Sequence, residues 1–109
     1  MKVALREKHC TTCKPGTPAL SDAQVKLLLP AISGWKFQSG QIAKTHRFKD
    51  YHQTMAFVNA VAWVAHREDH HPDMEVGYNR CVVQYSTHAV KGLSENDFIC
   101  AAKVDALME

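Results

Sequence analysis

Residues 50–72, DYHQTMAFVNAVAWVAHREDHHP, decide the fold because they contain the longest predicted helix and both of its ends. Asp50 followed by Gln53 is the pattern of a capping box, so a helix is predicted to begin here. The residues that follow place apolar side chains at helical spacing, which predicts a broad buried face. These apolar residues are Met55, Phe57, Val58, Val61, Ala62, Val64 and Ala65. Pro72 disfavours helical geometry at His71, so the helix is predicted to end at or just before the histidine pair.

The segments on either side predict two β-hairpins, because each contains two extended runs separated by a two-residue turn. The first hairpin joins 35–37 to 41–48 through Ser39 and Gly40, and the second joins 74–78 to 81–86 through Asn79 and Arg80. Within 41–48, Ile42, Lys44, His46 and Phe48 fall on one side, and Ala43, Thr45 and Arg47 fall on the other.

Two more helices are predicted near the ends of the chain. Ser21 with Gln24 and Ser94 with Asp97 are capping boxes, and apolar positions follow each of them. The element order is therefore helix, two strands, helix, two strands, helix. This order predicts an α+β fold, in which a four-stranded antiparallel sheet has three helices packed on one face.

Length and composition predict one globular domain. The 109 residues suffice for a single core over 20–109, preceded by an irregular arm over 1–19 that carries Cys10 and Cys13. The apolar fraction of 46% argues against disorder, and the net charge of +2 gives no electrostatic case for a nucleic-acid partner. No apolar run approaches the roughly 20 residues of a membrane span. The N-terminal residues do not resemble a secretory signal, so we expect a cytoplasmic protein with reduced cysteines.

Histidine is the residue that departs from an ordinary composition, because seven occur in 109 residues and five of them lie between residues 46 and 71. Single histidines are usually exposed and without a site role. We assign three to the surface on this basis: His9, His46 and His52. The other four fall where loops leave a predicted helix or strand: His66, His70, His71 and His88. Groups on two such loops can face one ligand.

Proton transfer explains this cluster better than metal binding. HREDH at 66–70 is not the H-E-x-x-H of zinc proteases. The pair Cys10 and Cys13 lies too far upstream to complete a finger or a deaminase motif. Imidazole accepts or donates a proton near neutral pH, so histidines without a serine or cysteine partner suit the elimination of water.

Three motifs and their spacing resemble the pterin-4a-carbinolamine dehydratase family. The motifs are DHHP at 69–72, STH at 86–88 and KGLSEND at 91–97. The similarity extends upstream through Trp35, RFKD at 47–50 and the helix around Phe57, and it covers residues 20–107.

The resemblance implies a lyase that dehydrates 4a-hydroxytetrahydropterin, the carbinolamine released by aromatic amino-acid hydroxylases, to quinonoid dihydropterin. It implies no cofactor, since the pterin is the substrate. The implied acid and base groups are His70, His71 and His88, and the implied substrate-binding residues are Asp69, Ser86, Thr87 and Asp97. Asp97 also fits a purely helix-capping interpretation. The resemblance further implies a homodimer or homotetramer, with a hydroxylase as a functional partner and neither nucleic acid nor membrane bound.

One position departs from the family pattern. Members often carry a glutamate one turn before the histidine pair, and His66 stands there in this chain, with Glu68 two residues on. Both side chains are candidates for tuning the pKa of a catalytic histidine. Which histidine is the acid and which is the base stays open at this point.

Two functions from other classes also stay open. The first is a non-catalytic accessory protein that binds a hydroxylase or a transcriptional regulator. The second is a zinc protein that uses His9, Cys10 and Cys13 with further ligands from elsewhere.

Overall fold

The computed structural model describes residues 4–109 and contains three helices and four strands in the predicted order. They are α1 (Asp22–Leu28), β1 (Lys36–Gln38), β2 (Gln41–Arg47), α2 (Tyr51–Glu68), β3 (Asp73–Val76), β4 (Arg80–Tyr85) and α3 (Glu95–Ala106). Short 3-10 turns occur at Leu5–Glu7, Leu29–Ala31 and His88–Val90. The α+β fold is therefore confirmed.

The four strands form one antiparallel sheet in the order β1-β2-β4-β3. The first hairpin turns through Ser39 and Gly40, as predicted, with φ angles of 55° and 75°. Positive φ at both positions matches the twist of the flanking strands, and glycine reaches it without steric cost. Ile42 and His46 of β2 point into the core, whereas Thr45 and Arg47 are exposed, so the predicted alternation is also confirmed.

The second hairpin turns one residue earlier than predicted. Strand β4 already begins at Arg80, and the Gly77 amide donates to the Arg80 carbonyl at 2.8 Å, so Tyr78 and Asn79 form the turn. Two hydrogen bonds hold this register, one from the connection between β2 and α2 and one from the first turn of α2. The Phe48 amide donates to the Asn79 carbonyl at 2.8 Å, and the Thr54 hydroxyl donates to the Tyr78 carbonyl at 3.0 Å. The turn was thus placed by tertiary hydrogen bonds rather than by local residue preference.

The ends of α2 lie close to the predicted positions. The Asp50 carboxylate accepts from the Gln53 amide at 2.9 Å, as an N-cap should. The Gln53 side chain, however, accepts from the Lys49 amide at 3.0 Å rather than from Asp50, so the predicted capping box is only half formed. Helix α2 ends at Glu68, and Asp69 follows in the left-handed conformation with φ 51°, which turns the chain before the histidine pair.

The core lies between one face of the sheet and the helices. Helix α2 contributes Phe57 and Val61, and α3 contributes Phe98 and Val104, all at most 5% exposed. Burial of such apolar side chains contributes about 1.5–3 kcal/mol each to stability. This packing fixes the ends of α2, β4 and α3 relative to one another. Within residues 4–109, no helix is both long and apolar enough to cross a membrane.

His46 is part of this core, and its assignment to the surface was wrong. The side chain is 5% exposed, with its ring 4.5 Å from that of Phe57 and 6.1 Å from that of Trp35, measured between centroids. Neither ring nitrogen has a hydrogen-bond partner among the described residues. Burial, and secondarily the charge of Lys44, therefore lower the pKa of His46 below its ordinary value.

Candidate active site

A cavity of about 200 Å³ opens where the loop after α2 meets the end of β4. It is lined by Asp69, His70, His71, Asp73, Gln84, Ser86, Thr87 and His88. The two histidine-bearing loops predicted to converge therefore meet at one cavity, with polar and titratable side chains around it.

His70 is held in place from several directions. The left-handed backbone of Asp69 turns the chain out of α2, and the His70 amide still donates to the Ala65 carbonyl at 3.2 Å. The imidazole stacks on the buried ring of Tyr85, with centroids 5.8 Å apart and planes inclined by only 12°. A side chain fixed by stacking loses little further freedom when it reacts.

Asp97 holds the far side of this imidazole. Its Oδ1 lies 2.6 Å from Nε2 of His70, while Oδ2 accepts from the Thr87 hydroxyl at 2.8 Å and from the Ser94 amide at 3.0 Å. The carboxylate is completely buried, so these donors replace water. An ionised carboxylate only accepts hydrogen bonds, so an ionised Asp97 would require Nε2 of His70 to carry the shared proton. The other ring nitrogen, Nδ1, is then the atom available for proton exchange.

The structure places Asp97 behind His70. The carboxylate has no exposed surface and contacts the imidazole rather than lining the cavity, and its predicted role in substrate binding stays a prediction. The helix-capping interpretation is also correct, because the same oxygen that accepts from Thr87 accepts from the Ser94 amide at the start of α3.

His88 and His71 are more exposed than His70. His88 begins the 3-10 turn after β4, where the Thr87 amide donates to the Gly92 carbonyl at 2.7 Å and closes the loop. His71 has only a 3.4 Å contact from Nδ1 to the Pro72 carbonyl. Both rings are therefore free to adjust to a bound molecule, unlike His70.

Glu68 and His66, the two candidates for pKa tuning, do not line the cavity. Glu68 is 8% exposed and faces the N-terminal arm, where it accepts from the Cys10 amide at 2.7 Å. Burial raises the pKa of Glu68, but this amide, His9 and Lys103 outweigh burial, so the pKa lies below its ordinary value. His66 is exposed on α2 and stacks on Trp63 at 5.4 Å.

Two cavity residues were not predicted from the sequence. Asp73 of β3 and Gln84 of β4 are directly paired across the antiparallel ladder, at the end of the sheet next to the histidines. The sequence did contain a signal, because Asp73 directly follows HHP and Gln84 stands two positions before the STH motif. Finding them required the strand register, which the misplaced turn obscured.

The described residues contain no cluster of three or more His, Cys, Asp and Glu side chains that could hold a metal ion. In particular, His9 bonds to Glu68 at 3.0 Å, and the Cys10 thiol contacts that of Cys100 at 3.5 Å. The zinc alternative therefore lacks a ligand set within residues 4–109.

The fold and the cavity define a small α+β protein in which three histidines, His70, His71 and His88, line one polar cavity. Residues 18–107 match the family described as pterin 4 alpha carbinolamine dehydratase. A relative from Nitrosospira multiformis is 55% identical over 96% of this chain and 93% of its own, and one from Nitrosomonas eutropha is 57% identical over 95% and 93%. Both carry the provisional name of pterin-4-alpha-carbinolamine dehydratase. The chain belongs to the pterin-4-alpha-carbinolamine dehydratase family, which confirms the resemblance found in the sequence.

Two solved structures share the fold. A transcriptional coactivator/pterin dehydratase from Brucella melitensis superposes with a TM-score of 0.80 at 30% identity, covering 84% of this chain and 99% of its own. A pterin dehydratase-like protein identified as a RuBisCO assembly factor in the alpha-carboxysome gives a TM-score of 0.56 at 26% identity, covering 67% and 84%. The fold thus occurs in proteins described by catalytic and by non-catalytic roles.

Proposed function

We propose that this protein is a 4a-hydroxytetrahydropterin dehydratase that forms quinonoid dihydropterin by histidine acid/base catalysis. The observation that carries the proposal is the arrangement of His70, backed by Asp97 at 2.6 Å, on a cavity that His88 also lines. Elimination of water from a carbinolamine needs one acid and one base, and these two histidines come from different loops.

The proposed reaction breaks the C4a–O bond and removes the proton on N5, with formation of the C4a=N5 double bond. We assign removal of the N5 proton to Nδ1 of His70, because Asp97 keeps the other nitrogen protonated. His88 donates a proton to the departing hydroxyl, which leaves as water. Asp97 fixes the orientation and tautomer of His70, as a carboxylate does for the histidine of a hydrolase triad.

The remaining cavity residues would bind the pterin ring. Asp69, Ser86 and Thr87 are proposed to contact it together with His71, which is free of strong partners in the structure. The resemblance further supports an oligomeric, cytoplasmic enzyme that recycles the pterin used by an aromatic amino-acid hydroxylase.

The test is the decay of freshly generated 4a-hydroxytetrahydropterin with and without the protein, in the presence of a chelator. We expect wild type to accelerate the decay, and His70→Ala and His88→Ala each to lower the rate by about 10²-fold or more. His52→Ala is the matched control, because His52 is exposed at the start of α2 and does not line the cavity. Absence of acceleration by wild type would overturn the proposal.

A binding role is the second candidate, since one structural relative is described as an assembly factor and another as a coactivator. The presence of all three cavity histidines favours the enzyme. The two roles can be distinguished in cells. If the protein is an enzyme, cells that carry His70→Ala should show the same defect as cells without the protein; if it is a binding protein, they should resemble wild type.

A further inference from the structure

The N-terminal arm contacts the end of α2 and the start of α3, which lie next to His70 and Asp97. On the α2 side, the Cys10 amide donates to Oε1 of Glu68 at 2.7 Å, and Nδ1 of His9 lies 3.0 Å from Oε2 of the same carboxylate. Glu68 is the last residue of α2 and stands two positions before His70. A carboxylate that is 8% exposed depends on such donors in place of water.

On the α3 side, the arm forms a reciprocal pair of hydrogen bonds with Asn96. The Thr11 amide donates to Oδ1 of Asn96 at 3.0 Å, and Nδ2 of Asn96 donates to the Thr11 carbonyl at 2.6 Å. The Cys10 thiol adds contacts to the Asn96 carbonyl at 3.6 Å and to Sγ of Cys100 at 3.5 Å. Asn96 is 7% exposed and immediately precedes Asp97.

Three consecutive arm residues, 9–11, therefore bridge the end of α2 to the start of α3. This bridge lies behind the site, since none of these residues lines the cavity. Residues 9–11 also lie outside residues 18–107, the part of the chain that matches the family. Without it, two buried polar side chains, Glu68 and Asn96, would lose main-chain partners.

We propose that residues 9–11 form a positioning segment, which holds the end of α2 and the start of α3 at the separation at which His70 and Asp97 hydrogen-bond. The segment touches no reacting atom and acts only through this pair. Its effect on catalysis rests on the proposed dehydratase function, whereas its effect on the geometry of His70 does not. A small displacement of a catalytic group is costly, because proton transfer requires hydrogen-bond reach.

The experiment compares Thr11→Pro, which removes the amide donor to Asn96, with Thr11→Ala, which keeps the main-chain groups and is the matched control. Asn96→Ala removes both bonds from the other side, and Asn96→Asp keeps the acceptor for the Thr11 amide but loses the donor. Each full-length variant is characterised by its melting temperature, by kcat and KM, and by the NMR resonances of the His70 ring without substrate.

We expect Asn96→Ala and Thr11→Pro to lower kcat about tenfold with little change in KM, and to shift the His70 ring resonances while the protein is fully folded. Asn96→Asp should lie in between, and Thr11→Ala should match wild type. If Asn96→Ala lowers only the melting temperature, with unchanged His70 resonances and kcat, the segment is merely structural and the proposal is wrong. If wild type is inactive but the ring resonances shift as expected, the dehydratase proposal fails and the positioning role stands.

Discussion

Nε2 of His70 lies 2.6 Å from Oδ1 of Asp97, although the two residues are separated by a complete β-hairpin and a 3-10 turn. The carboxylate is fully buried and also accepts from Thr87 and Ser94. The pair thus joins the loop after α2 to the first turn of α3, and it fixes the orientation of one of the cavity histidines.

Replacement of Asp97 by asparagine tests this relationship. Asp97→Asn retains the size of the side chain but presents an amide that can donate to His70, which disturbs the tautomer. We expect kcat to fall by about 10²-fold or more, with a smaller effect on KM. Glu95→Gln, which changes an exposed acid on the same helix, should leave both constants unchanged. Full activity in Asp97→Asn would show that the carboxylate serves only to cap α3.

Glutamate at position 66 should not change the chemistry. His66 stacks on Trp63, is exposed and does not line the cavity, so water and salt screen a charge placed there. We expect the pH–rate profile of His66→Glu to coincide with that of wild type. A shift of either limb of the pH–rate profile would show that residue 66 tunes the pKa of a catalytic histidine.

Gln84 should contribute to binding rather than to proton transfer. Its side chain lines the cavity but belongs to neither histidine loop. We expect Gln84→Ala to raise KM about threefold to tenfold with kcat nearly unchanged, as for an interaction made equally in ground and transition states. Gln38→Ala, an exposed glutamine on β1, provides the control. A decrease in kcat alone would show instead that Gln84 makes an interaction that exists only in the transition state.

Removal of the buried imidazole should stabilise the protein. Within the part of the chain that the structure describes, both ring nitrogens of His46 lack hydrogen-bond partners, and its neighbours Phe57 and Trp35 are aromatic. We expect His46→Phe to raise the free energy of unfolding by about 1–2 kcal/mol at neutral pH, measured by urea denaturation. His52→Phe, at an exposed position, should change it little. Destabilisation of His46→Phe would mean that the site cannot accept the larger ring.

His46 should also make the free energy of unfolding depend on pH. Since burial lowers the pKa of folded His46, the unfolded chain takes up this proton first as the pH falls below about 6.5. The unfolded state is then favoured, so the wild-type protein loses stability on acidification because of His46. The difference in unfolding free energy between His46→Phe and wild type should therefore widen from about pH 7.5 to about pH 5. A constant difference would contradict the lowered pKa. Lys44 and Asp105, the nearby charges, are unchanged in this comparison.

Local signals in the sequence predicted most of the fold. The capping box at Ser21 and Gln24, the end of α2 before the histidine pair and the turn at Ser39 and Gly40 each depend on a few residues, and the structure confirms them. The error at the second hairpin arose where distant groups on Phe48 and Thr54 hold the turn. The alternation in β2 had placed His46 on the same side as Ile42, so its burial could have been predicted from that pattern.

The sequence alone thus determined the element order, the family and the histidine loops, because helix caps, turn residues and short motifs encode local backbone geometry. Only the tertiary structure decided which partner each polar side chain has. Glu68 turns to the arm instead of the cavity, and Asp97 is buried behind His70 rather than exposed to a ligand. Such choices depend on the direction of a side chain after packing and on contacts between residues far apart in the chain. No local pattern carries that information.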